Sequence, residues 1–241
     1  MSRDLPANMA DRLIVALDVP DVAQARDIVA KLDGVVSFYK IGMWLLYAPG
    51  TETFIDDLIA SGKRVFLDAK MHDIGETVRA GAASAAARGV SFLTIHGEPQ
   101  VIQAAMAGKG ASALKILAVT VLTSLTDTDL QTMGYNKSVA KLVAQRVASV
   151  AALGGDGIIA SAQDDPNAIR AQAGAKDLLI VTPGIRPPGS DAGDQKRIAT
   201  PAAAIAKGAD YLVVGRPIIA APDPRAAAQA IIADMQRGAV D

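Results

Sequence analysis

The chain has 241 residues, 51% of them hydrophobic and 4% aromatic, with a net charge of −1 and no cysteine. That length supports one large core; the absent cysteines exclude disulfides and thiolate metal centres, and the scattered, balanced charges argue against a nucleic-acid surface. No run approaches the roughly 18 apolar residues of a membrane span, and the first twelve residues lack the apolar stretch of a secretory leader, so a cytoplasmic protein without nucleic-acid or membrane partners is expected.

Apolar runs rich in Val, Ile and Leu recur along the chain with helical stretches between them. The expected strands are 12–18, 36–42, 64–70, 91–97, 115–122, 156–161, 178–184 and 210–216. Between them, apolar residues follow helical spacing, as at Val22, Ala25, Ile28, Val29 and Leu32. Gly34, Gly62, Gly89, Gly174 and Gly208 stand where helices should end before the next strand. The strands are almost continuously apolar, which suits a parallel sheet covered by helices. A uniform series of eight βα units with no linker predicts a single α/β domain over 1–241, a closed (β/α)₈ barrel. An open, Rossmann-like sheet is the alternative, but no Gly-rich turn follows the first strand.

Polar residues gather at the ends of these strands: Asp18, Lys40, Asp68 with Lys70, His96, Thr123 with Ser124, Arg186 and Arg216. Barrels of this type carry their active sites at that face. In "RVFLDAK", strand alternation puts Phe66, Asp68 and Lys70 on one side. Charges there are costly unless they meet each other or a ligand. Plain ion pairing is the bland explanation, and the accumulation of polar strand ends favours a functional one.

Two segments resemble a phosphate cradle. "VVGRPI" places Gly215 and Arg216 after the eighth strand, and "VTPGIR" places Gly184 one unit earlier. Glycine lets backbone N–H groups approach a phosphate, and Arg216 adds a charge-assisted contact. The segment 184–201 is long and punctuated by proline and glycine, as functional loops often are. Asp68, His72 and Asp73 lie close in sequence, but Lys70 among them would compete with a metal ion for the carboxylates. No metal is therefore expected, and His96 is read as a hydrogen-bonded strand-end residue.

Taken together, "ALD" at Asp18, "YKIG" at Lys40, "DAKMHDI" at 68–74, "HG" at 96–97, "AVTVLTS" at 118–124, "PGIR" at 183–186, "GDQKRIATP" at 193–201 and "VGRPI" at 214–218 resemble bacterial-type orotidine 5′-phosphate decarboxylases over nearly the whole chain. The resemblance implies decarboxylation of orotidine 5′-monophosphate to UMP without metal or cofactor. It implies that Lys40, Asp68, Lys70 and Asp73 form the charged catalytic network, with Lys70 the proton donor. It assigns Asp18 and Lys40 to the ribose hydroxyls, Thr123 to the pyrimidine, and Gln195 to a bridge between base and phosphate. Gly215 and Arg216 would hold the phosphate, with Pro183 and Arg186 among the substrate contacts. Asp73, Ile74 and Thr77 would reach the site of a second subunit in a homodimer. Where the family usually has Pro this chain has Gly75, and where it often has Asn this chain has Glu76; Gly75 would loosen the turn that carries Asp73. The rival within this superfamily is a magnesium-dependent sugar-phosphate decarboxylase or aldolase, which tends to carry an acid where Lys40 stands. A non-catalytic phosphate-binding barrel is the rival of another class.

Overall fold

A computed structural model of the chain describes residues 3, 5–172, 174–188 and 197–239. Eight parallel strands close into a barrel in sequence order: β1 (Leu13–Ala16), β2 (Phe38–Gly42), β3 (Arg64–Met71), β4 (Phe92–His96), β5 (Lys115–Val119), β6 (Gly157–Ile159), β7 (Leu179–Thr182) and β8 (Tyr211–Val214), with β8 pairing back onto β1. Each strand falls inside an expected run or within one residue of it. Several are shorter than expected at their carboxyl ends, because those residues leave the ladder to form the loops of the functional face. All five glycines expected to end helices have φ between 72° and 96°. A residue with a Cβ tolerates that region poorly, so these positions stop the helix and release the chain into the next strand.

The barrel interior is packed below the strand ends. Ile14, Phe38, Phe66, Phe92, Leu117, Val181, Tyr211 and Val213 share this cluster. Phe92 meets Phe38 and Tyr211 edge-on at 4.9 and 5.2 Å between ring centroids, the arrangement that ring quadrupoles favour. The Arg64 guanidinium covers the Phe38 ring at 4.3 Å. Truncating a buried ring such as Phe38 would cost about 3–5 kcal/mol. Two further clusters pack the outer strand faces against the helices. The helices Gly75–Arg88 and Pro99–Lys109 pack closely, so that a Cβ on Gly108 would meet the Arg79 carbonyl oxygen at 2.2 Å. Above the packed barrel interior, Ala16, Phe66, Val119, Ile159 and Val213 line the inner end of a cavity.

Candidate active site

The cavity holds about 650 Å³ at the carboxyl ends of the strands. Around it stand Asp18, Lys40, Asp68, Lys70, Thr123, Pro183, Arg186, Gly215 and Arg216, from six different strand ends. Asp73, Ile74 and Thr77 are not part of its wall. All three are exposed, Ile74 by 73%, and Asp73 turns its Oδ1 to the Ile74 amide at 2.7 Å. Gln195 lies outside the described residues, as do Gly189 and Gly193 of the loop.

Four charges alternate in sign across the pocket. The Lys40 ammonium lies 3.2 Å from Asp18 Oδ1 and 3.2 Å from Asp68 Oδ2. The same Asp68 oxygen takes the Lys70 ammonium at 2.8 Å. Lys40 and Asp68 are 8% and 9% exposed. Burial pushes the Lys40 ammonium down, but Asp68 and then Asp18 outweigh it and leave the group above the ordinary lysine range. Burial likewise pushes the Asp68 carboxyl up, and Lys40 and Lys70 outweigh it and hold the group below its ordinary value. Both residues are therefore charged at neutral pH. A Cβ at Gly42 would come within 3.0 Å of the Lys40 ammonium and 3.2 Å of Asp18 Oδ1, so the glycine keeps this pair's space clear.

Lys70 is delivered by an irregularity in β3. Leu67 pairs with Leu93, yet the next match is Met71 with Ile95, so β3 spends four residues where β4 spends two. An excess of two preserves the facing of alternate residues, and Asp68 and Lys70 still share the pocket. The backbone at Lys70 has φ +44°, a left-handed conformation that costs an L-residue about 1–2 kcal/mol. Thr94 of β4 holds it there. Its hydroxyl accepts the Lys70 amide at 3.0 Å and donates to Asp68 Oδ1 at 2.9 Å. The sequence reading missed Thr94; the signal was a hydroxyl inside the apolar stretch "FLTI". It also missed Trp44, which lines the cavity while 62% exposed.

Metal ligation fits these residues poorly. Both Asp68 oxygens are already engaged, one by two ammoniums and one by Thr94, so a cation would have to displace lysines. A second group, His72, His96 and Glu98, brings its ligand atoms within 4.8 Å of one another. There the imidazoles stack at 4.8 Å with planes 18° apart, so their in-plane lone pairs do not converge on one point. The Glu98 carboxylate is paired instead with Arg146 at 2.7 Å. His96 ends β4 as expected, but its Nδ1 is 3.9 Å from Glu98, beyond hydrogen-bond length.

This architecture defines a class: a closed (β/α)₈ barrel with a charge-lined pocket where the strands end. Comparison with known proteins narrows it. The family model described as Orotidine 5′-phosphate decarboxylase / HUMPS family matches residues 11–231. Curated relatives named orotidine 5′-phosphate decarboxylase include those of Afipia carboxidovorans, 57% identical over 95% of this chain and 97% of the relative, and Methylorubrum populi, 54% identical over the same shares. Among solved structures, orotidine 5′-phosphate decarboxylase from Lactobacillus acidophilus superposes with a TM-score of 0.80 at 37% identity, covering 93% of this chain and 99% of that one. The chain belongs to the orotidine 5′-phosphate decarboxylase / HUMPS family.

Proposed function

We propose that this chain decarboxylates orotidine 5′-monophosphate to UMP and CO₂ in pyrimidine biosynthesis, without metal or cofactor. The observation that carries the reading is the array Asp18–Lys40–Asp68–Lys70 at the cavity wall. When the bond from C6 to the carboxylate breaks, the electron pair stays on C6, in the ring plane, where the π system delocalises it poorly. A fixed ammonium at that point stabilises the developing charge. Lys70 has that role here, and its proton then goes to C6 to give UMP, leaving a neutral amine that solvent reprotonates. Asp68 pairs with the Lys70 ammonium at 2.8 Å, and Thr94 fixes the Asp68 carboxylate and the Lys70 backbone so that little reorganisation is needed as charge develops.

Asp18 and Lys40 serve the ribose hydroxyls in this reading, and Thr123 faces the base. Gly215, Arg216, Pro183 and Arg186 receive the phosphate end. Binding energy gathered there, far from C6, supports the chemical step. Asp73, Ile74 and Thr77, exposed on the segment after β3, complete the pocket of a second copy in a homodimer, and the protein works in the cytoplasm. No helix among the described residues is long and apolar enough to cross a membrane. The test is incubation with orotidine 5′-monophosphate while ultraviolet absorbance is followed. Conversion of the orotate chromophore to that of UMP is expected; no change at high protein concentration would end the proposal.

A further inference from the structure

Outside the cavity wall, a buried ion pair joins three of the loops that build the functional face. Arg197, on the segment after β7, pairs through Nη1 with Asp164, on the short turn Ala162–Asp164 after β6. The two side chains are 12% and 6% exposed. Through Nη2, Arg197 also donates to the carbonyls of Val121 and Leu122 after β5, at 3.2 and 3.5 Å. Asp164 is fixed in turn, its Oδ2 accepting the Ser161 amide at 2.9 Å. The backbone around Arg197 is tied to the same turn: Gln163 donates to the Ile198 carbonyl at 3.3 Å. A surface pair of this kind would contribute little, but this one is withdrawn from water, where removing either partner leaves an uncompensated charge.

Two of the loops so joined border the cavity, one on the base side and the other on the phosphate side in the decarboxylase reading. Val121, Leu122, Thr123 and Ser124 form one wall, and Pro183, Gly184 and Arg186 begin the segment that Arg197 closes. Arg186 and Ala199 are themselves linked across that segment by an amide–carbonyl bond of 2.9 Å. We propose that Arg197, braced by Asp164, is a positioning residue that sets the base-side wall from the phosphate-side segment, so that engagement of the substrate's phosphate fixes the wall against the base. Arg197 touches no substrate; it acts through the Val121–Ser124 backbone. The proposal rests on the decarboxylase reading above.

A purely structural pair and a positioning pair differ in what they do to substrates with and without phosphate. In Arg197→Ala, kcat/KM for orotidine 5′-monophosphate should fall by about 10- to 100-fold, the size of one lost charge-assisted tie. Decarboxylation of orotidine, which lacks the phosphate, should change by no more than about 2-fold, because there is no phosphate engagement to transmit. Arg197→Lys, or guanidinium ion added to Arg197→Ala, should restore part of the loss on the phosphorylated substrate alone. Should Arg197→Ala fail to fold by circular dichroism, Asp164→Asn, which keeps the side-chain shape, decides by the same comparison. Equal proportional losses on both substrates, or no loss on either, would overturn the proposal. Wild-type protein inactive on orotidine 5′-monophosphate would instead remove the decarboxylase reading on which it stands.

Discussion

Replacing Lys70 by glycine and, separately, by alanine isolates the backbone cost of presenting its ammonium. Both substitutions remove the same charge and leave Asp68 paired with Lys40 and Thr94, so the lost ion pair cancels in the comparison. What remains is the conformation, φ +44°. Alanine keeps the left-handed cost of about 1–2 kcal/mol, whereas glycine has none. Against this, glycine gains freedom in the unfolded chain worth about 0.4–1 kcal/mol. At the midpoints of the two ranges Lys70→Gly is more stable than Lys70→Ala by roughly 0.8 kcal/mol, inverting the order found at ordinary strand and helix positions. For a chain of this size that is about 1–4 °C in Tm. Urea denaturation of the two variants, with Tm as a second readout, measures it, and both should lack decarboxylase activity. Finding the alanine variant equally or more stable would refute the claim that Lys70 is held in a strained backbone conformation at the strand end.

Arg216→Ala should cost roughly 2–4 kcal/mol of transition-state stabilisation on the phosphorylated substrate and little on orotidine; an equal proportional loss in the two assays would remove Arg216 from the phosphate site. Gly75→Pro should be tolerated and should stabilise by about 0.4–1 kcal/mol in thermal denaturation. Gly75 is the first residue of its helix, Ile74 before it has φ −60° and ψ 151°, and the nearest atom to an added Cβ is Ala104 Cβ at 3.8 Å, all compatible with proline; a lower Tm would contradict this. Mixing Lys70→Ala with Asp73→Ala protein under subunit exchange should restore activity through hybrid dimers with one intact site. Exchange confirmed by mass with no activity regained would sink the shared-site proposal.

Much of the barrel could be read from the order of residues because its signals are local. Apolar runs of strand length, helical spacing and a helix-ending glycine each depend on a few neighbours in the chain. The pocket was legible for a related reason. In a parallel barrel every strand ends at the same rim, so Asp18, Lys40, Asp68 and Lys70 needed only their strand-end positions to be brought together. The groups that escaped depend on partners from elsewhere. Thr94 matters because β4 lies beside the irregular end of β3, and the four-against-two register there is set by that pairing. Asp164 and Arg197 are 33 residues apart, and each reads alone as a surface charge. Asp73 was expected to leave its own pocket, and it is exposed on the segment beyond β3.

The most direct measurement is the yield of CO₂ and UMP from orotidine 5′-monophosphate in the presence of a chelator, for wild-type protein and for Lys70→Ala. The account predicts equal amounts of the two products from wild type, no dependence on added divalent metal, and none of either product from Lys70→Ala that still binds UMP. Turnover that needs a metal ion, or that survives without Lys70, would contradict it.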